Sequence, residues 1–183
     1  MEAPQKATAI TIRDERADDG HQIDEILTAA FAKHPHSNQT EHILVRKLRA
    51  DRALRLSLVA EVDGKVTAHI AFSPVQIDGV DHGWHGLGPV AVLPDLHRRG
   101  IGSALINAGL QRLRNMGSNG CVLLGEPEFY RRFGFQTDAR LRLDGVPPEF
   151  FLILPFQDAV PVGRIDYHPA FFELADKHEG HDG

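Results

Sequence analysis

Residues 87–103, LGPVAVLPDLHRRGIGS, restrict the possible folds more than any other part of the sequence. An apolar, β-branched run stops at Pro94, a basic turn follows, and a helical apolar period begins at Ile101. A strand that feeds a helix through such a turn leaves the first helical N–H groups without internal partners. The helix dipole adds positive potential at the same place. With Arg98 and Arg99 beside it, this end of the helix suits phosphate. The helix must then return to the sheet, and Cys121–Leu124 is a short apolar strand placed to receive it. Strand 84–93, helix 100–116 and strand 121–124 are therefore expected to form one parallel, right-handed unit.

Around this unit the pattern is mixed. A strand is expected over Ala7–Arg13, and Ile23, Ile26, Leu27, Ala30 and Phe31 repeat at helical spacing within a helix over Asp18–Phe31. A second helix is expected over Thr40–Ala50, with Thr40 as its N-cap. Two alternating runs, Leu54–Val62 and Val66–Phe72, flank Asp63-Gly64 and predict a tight antiparallel hairpin. Pro127–Phe133 reads as a short helix, Phe150–Phe156 and Val162–Tyr167 as strands, and Lys177–Gly183 as a frayed polar tail. The fold class is α+β, a mostly antiparallel sheet with helices. At 183 residues the chain is expected to form one domain spanning 1–183.

The formal net charge of −5 and the lack of a basic run argue against a nucleic-acid partner. No apolar run approaches the ~20 residues of a membrane span, and the N-terminus lacks a secretion pattern. A single cysteine, Cys121 in an apolar run, suits a cytoplasmic protein and reads as an inert core thiol. His34, His36, His82 and His85 lack metal-ligand spacing with supporting carboxylates, so no metal is expected.

Three kinds of phosphate-binding turn compete for residues 87–103. A Walker loop needs a lysine after its last glycine, and none follows here. A dinucleotide fingerprint needs a third glycine where Leu105 stands. The third fits: VAVLPDLHRRGIGSALI (90–106) closely resembles the acetyl-CoA-binding segment of the GNAT superfamily of N-acetyltransferases, with its core [RQ]-x-x-G-x-[GA]. Gly100 and Gly102 match, and His97 replaces the leading arginine or glutamine. GEPEFYRRFGF (125–135) resembles the family's second signature, with Tyr130 four residues before Gly134-Phe135. LSLVAEVDGKVTAHIAFSPV (56–75) and GRIDYHPAF (163–171) are similar to the YhbS-like bacterial branch.

That resemblance implies a twisted sheet of about seven strands with about four helices, splayed between the fourth and fifth strands. It implies an acetyl-CoA site made of Val90, Ala91, Val92, His97, Arg98, Arg99, Gly100, Ile101, Gly102, Ser103 and Tyr130, and no metal. Pro89, which cannot donate to a sheet ladder, independently points to irregular pairing in this strand. A backbone N–H of Val90 or its neighbour would polarise the thioester carbonyl, and Tyr130 would be the general acid. Where many relatives carry a strand glutamate, this chain has Gly86. Glu126 is the candidate base, ahead of Glu128, His85 and His69. One of Arg131 and Arg132 is a candidate for the coenzyme's 3′-phosphate.

The implied activity is acetyl transfer to a primary amine of a small molecule or protein, by direct attack in a ternary complex. Two other readings stay open: a catalytically silent acetyl-CoA-binding module, and an O-acyl or longer-chain transferase. The implied partners are acetyl-CoA and an amine-bearing acceptor, with no nucleic acid or membrane and with room for a homodimer.

Overall fold

The computed structural model of the protein describes residues 9–174. Ala7 and Thr8 of the expected first strand, and the expected tail, lie outside them. The chain runs β1 (Ile10–Asp14), α1 (Gly20–Phe31), α2 (Glu41–Ala50), β2 (Leu56–Val62), β3 (Lys65–Ile77) and β4 (Val80–Val92). It continues with α3 (Ile101–Asn115), β5 (Gly120–Leu124), α4 (Pro127–Tyr130), β6 (Leu141–Arg142), β7 (Phe151–Pro155), β8 (Gly163–Asp166) and α5 (Ala170–Glu173). Among the described residues no helix is long and apolar enough to cross a membrane.

The sheet is mixed, in the order β1-β2-β3-β4-β5-β7, with β8 pairing both β3 and β6. Most neighbours are antiparallel; β4 and β5 run parallel, with α3 as the crossover between them. The α+β architecture is thus as expected, with eight strands and five helices among the described residues. The extra elements, β6 and α5, have two and four residues, too few to show a period.

The Asp63-Gly64 hairpin forms as the alternation predicts, with φ of +52° and +76°. Positive φ at both turn positions matches the twist of the flanking strands. The same geometry recurs at Asp78 and Gly79, φ +50° and +78°, and joins β3 to β4. Both strands are therefore longer than the expected limits at Phe72 and Trp84. Thr40 sits at the α2 N-cap position without a capping bond; its hydroxyl turns to the Asn38 carboxamide instead.

The two faces of the sheet are covered differently. Ile101, Leu105, Ile106, Leu110 and Leu113 of α3 bury against Leu58, Ala60, Ala68, Ile70 and Phe72. On the other face, Ile23, Ile26 and Leu27 of α1 and Val45 of α2 cover Val59, Val66 and Ala91. Arg13 ties the first strands together, holding Asp19 at 2.7 and 3.0 Å and Glu61 at 2.8 Å.

Gly109 lets α3 approach the sheet closely. A Cβ there would lie 2.4 Å from the fully buried Phe72 ring. Gly109→Ala should therefore overpack the core and lower the unfolding free energy by about 1–3 kcal/mol, measured by urea denaturation, despite alanine's better helix propensity.

Candidate active site

β4 parts from β5 partway along its length. The pair is hydrogen-bonded only over Trp84–Gly86 against Gly120–Val122. From Leu87 to Val92, β4 keeps β3 on one side and has no strand on the other. At the same point the β3–β4 register slips: Phe72 faces Leu87 but Ile70 faces Val90, so Ala71 stands opposite both Gly88 and Pro89. This is a bulge, with the extra residue on β4. β5 meanwhile stays paired to β7 through Leu123 and Leu124. The result is a fork, open along the main chain of residues 87–92.

The strand leads directly into the basic turn. His97 Nε2 lies 2.9 Å from the Val92 carbonyl and donates to it, which fixes the imidazole tautomer and braces the turn against the end of β4. Arg98 and Gly100 adopt left-handed φ values of +62° and +78°. Gly100 is the N-cap of α3 and no side chain caps the helix, so the amides of Ile101, Gly102 and Ser103 have no acceptor among the described residues. Arg98 and Arg99 are exposed and have no ion-pair partner there either. Unsatisfied amides and a helix dipole meet at a turn that carries two unpaired arginines, which fits a diphosphate.

Tyr130 closes the other side. Its ring packs on Phe135 at 6.0 Å and Phe129 at 4.9 Å. It lies so close to Gly125 that a Cβ there would sit 2.4 Å from its Cε2. Burial pushes the hydroxyl up to about 12, helped by the neighbouring thiol of Cys121, so it holds its proton at neutral pH. Cys121 itself is fully buried and its thiol is raised by the same desolvation. The structure thus gathers residues 90–92, the turn at 97–103 and Tyr130 around one fork.

The base candidates occupy different places. Glu126 is exposed at the N-cap of α4, and Glu128 is exposed on the same helix. His85 is buried with Nδ1 2.8 Å from Ser118 Oγ, in a cleft of about 270 Å³ that also takes Arg55, Asp81 and the end of α3. His69 is fully buried on the α1 side, its Nε2 2.8 Å from Ser57 Oγ. Arg131 and Arg132 are both exposed; Arg132 stacks on Phe129 and donates to its carbonyl. Sequence reasoning gave no role to Ser73, a fully buried hydroxyl opposite Gly86 in the β3–β4 pairing.

Desolvation, assisted by the charge of Arg49, pushes His69 down to about 3. The unfolded chain takes up this proton below its ordinary pKa of 6.5, whereas the folded chain does not until about 3. Stability should therefore rise with pH from about 3 to 6.5, with a slope approaching ~1.4 kcal/mol per pH unit from this group. His69→Gln should flatten that slope in urea titrations across the same window.

Residues 20–135 match the model of the acetyltransferase (GNAT) family. The Escherichia coli protein YhbS, described as an uncharacterized N-acetyltransferase, is 36% identical over 167 residues, covering 87% of this chain and 97% of its own length. The crystal structure of YhbS in complex with CoA superposes with a TM-score of 0.85 at 33% identity, over 93% of this chain and 96% of that one. A Brucella melitensis GNAT family acetyltransferase, solved in complex with acetyl-CoA, gives 0.81 at 48% identity, over 89% and 98% of the two chains.

Proposed function

The chain belongs to the GNAT acetyltransferase family, and from this we propose that it transfers the acetyl group of acetyl-CoA to a primary amine by direct attack in a ternary complex. The observation that carries the reading is the continuity of one strand–turn–helix unit. The same residues 87–103 supply an open main-chain edge and, ten residues on, an amide-lined anion site. An extended ligand with a diphosphate at one end and a thioester at the other matches that layout. The relatives from B. melitensis and E. coli were crystallised with acetyl-CoA and CoA respectively.

In this reading the amides of Ile101, Gly102 and Ser103, with Arg98 and Arg99, hold the diphosphate, and His97 keeps the turn in register with β4. Val90, Ala91 and Val92 line the arm and the acetyl group. A backbone N–H of Val90 or its neighbour donates to the thioester carbonyl oxygen as negative charge develops there. The amine nitrogen forms a bond to the acetyl carbon, the carbon–sulfur bond breaks, and the sulfur leaves with the electron pair. Tyr130 gives the sulfur its proton. The nitrogen loses one proton, to Glu126 directly or through water. Glu126 releases its proton to solvent and Tyr130 regains one from it, so the protein ends unchanged.

A silent binding module would need the anion site but not a protonated phenol at the sulfur. Tyr130→Phe separates the two. Its kcat in a free-thiol release assay across an amine and peptide panel should fall about 100-fold, while the Kd for acetyl-CoA by calorimetry stays within about twofold. An unchanged kcat would remove Tyr130 from the chemistry.

A further inference from the structure

The fork has a second tyrosine. β8 takes the edge of β3 that β2 leaves free, pairing Asp166 with Gln76 and Ile165 with Ile77. Tyr167 follows directly, so its side chain starts on the far side of β3 from β4. The ring nevertheless reaches β4: a Cβ built on Gly86 would lie 2.7 Å from Tyr167 Cε1 and 3.3 Å from Cδ1. A side chain rooted beyond β3 thus lays its Cε1 edge on Gly86 of β4. Gly86 is the last β4 residue paired to β5, so the ring edge lies at the apex of the fork. The two phenols of this chain thus approach the same strand junction, Tyr130 among the residues packed with α3 and Tyr167 from the opposite face.

Neighbouring groups hold Tyr167 in this position. Phe171 stacks on its ring at 5.0 Å and 53°. His168 Nδ1 accepts the Ala170 amide at 3.1 Å, and its Nε2 faces Asp51 at 3.4 Å. Ala170 packs with Leu48 of α2, which anchors α5 and the residues before it. The Tyr167 hydroxyl itself has no hydrogen-bond partner among the described residues. Desolvation raises its pKa strongly, so it stays a neutral phenol throughout the working pH range.

A second observation points to a polar ligand on this face. Ser73 pairs with Gly86 and therefore projects to the same side of the sheet, from β3, the strand that Tyr167 crosses. It is fully buried, and its Oγ has no partner. An unsatisfied buried hydroxyl is costly, so a polar atom brought to this place would be stabilised. The open side of the fork is where an acceptor nitrogen must stand to reach the acetyl carbon.

We propose that the Tyr167 hydroxyl binds the acceptor nitrogen, with Ser73 as the second polar group of that subsite. The phenol oxygen accepts a hydrogen bond from the neutral amine's N–H, which leaves the nitrogen lone pair free to face the acetyl carbon. Gly86 is required because any side chain there would displace the Tyr167 ring. The site selects for an acceptor with an N–H on an uncharged nitrogen, because neither hydroxyl can neutralise an ammonium ion. This assignment rests on the acetyltransfer reading above.

Two non-reactive ligands test it without knowledge of the natural acceptor. Acetonyl-CoA carries the coenzyme and carbonyl but no nitrogen beyond that carbonyl. The S-(N-propylcarbamoylmethyl) thioether of CoA adds an N–H beyond that carbonyl. Tyr167→Phe keeps the ring and its packing. In calorimetric titrations it should bind acetonyl-CoA as the wild type does and lose about tenfold in affinity for the carbamoyl analogue. Equal binding of the carbamoyl analogue by both proteins, or an equal loss for both analogues, overturns the assignment. If the wild type binds neither analogue, the acetyl-CoA reading itself fails, which is a different outcome.

Discussion

The parting of β4 from β5 after Gly86 is the constraint on which the rest of the molecule depends. A sheet interior satisfies its main-chain groups by pairing, and an unpaired buried stretch is costly. This chain leaves one side of residues 87–92, mostly half-buried, without a strand neighbour on a central strand rather than at the sheet's edge. Two local features enforce it. Pro89 removes a donor, and the bulge at Gly88 and Pro89 changes the pairing with β3 on the other side. Beyond Val122, β5 continues along β7 alone through Leu123 and Leu124. The opening is therefore a product of the sheet's hydrogen bonding.

Everything around the fork serves to position something at it. α3 begins twelve residues downstream of Pro89 in the bulge, and its register on the sheet is fixed by buried leucines and isoleucines and by the close approach at Gly109. That packing decides where the uncapped amides point. α4 is only four residues long and has little helical stability of its own, so Tyr130 is placed by its aromatic contacts with Phe129, Phe133 and Phe135. On the opposite face, α2 and α5 together hold the segment that carries Tyr167. Rigid packing of both tyrosines gives the pre-organisation that an electrostatic mechanism requires.

The large elements were legible because each has a period or a punctuation mark. Asp63-Gly64 announced its hairpin, and Ile101, Leu105 and Leu113 announced the buried side of α3. Asp78-Gly79 carried the same turn signal but lay outside the clean alternation, since Pro74 interrupts β3 on its exposed side. The anion turn and Tyr130 were legible as motifs. The relation of Gly86 to Tyr167 was not, because it joins residues 81 positions apart through a strand that crosses under the ring. A glycine inside a strand is nonetheless a physical hint that something approaches closely. Ser73 had no signal at all in the sequence; only burial marks it.

The central claim is that a single run, residues 87–103, receives both ends of the coenzyme. An amide-resolved NMR titration with acetyl-CoA tests this most directly. The account predicts that the largest perturbations fall on the amides of Gly100–Ser103 and on those of Val90–Val92, in one saturable event. Saturable binding that leaves both sets of amides unmoved, or moves only one of them, would contradict it.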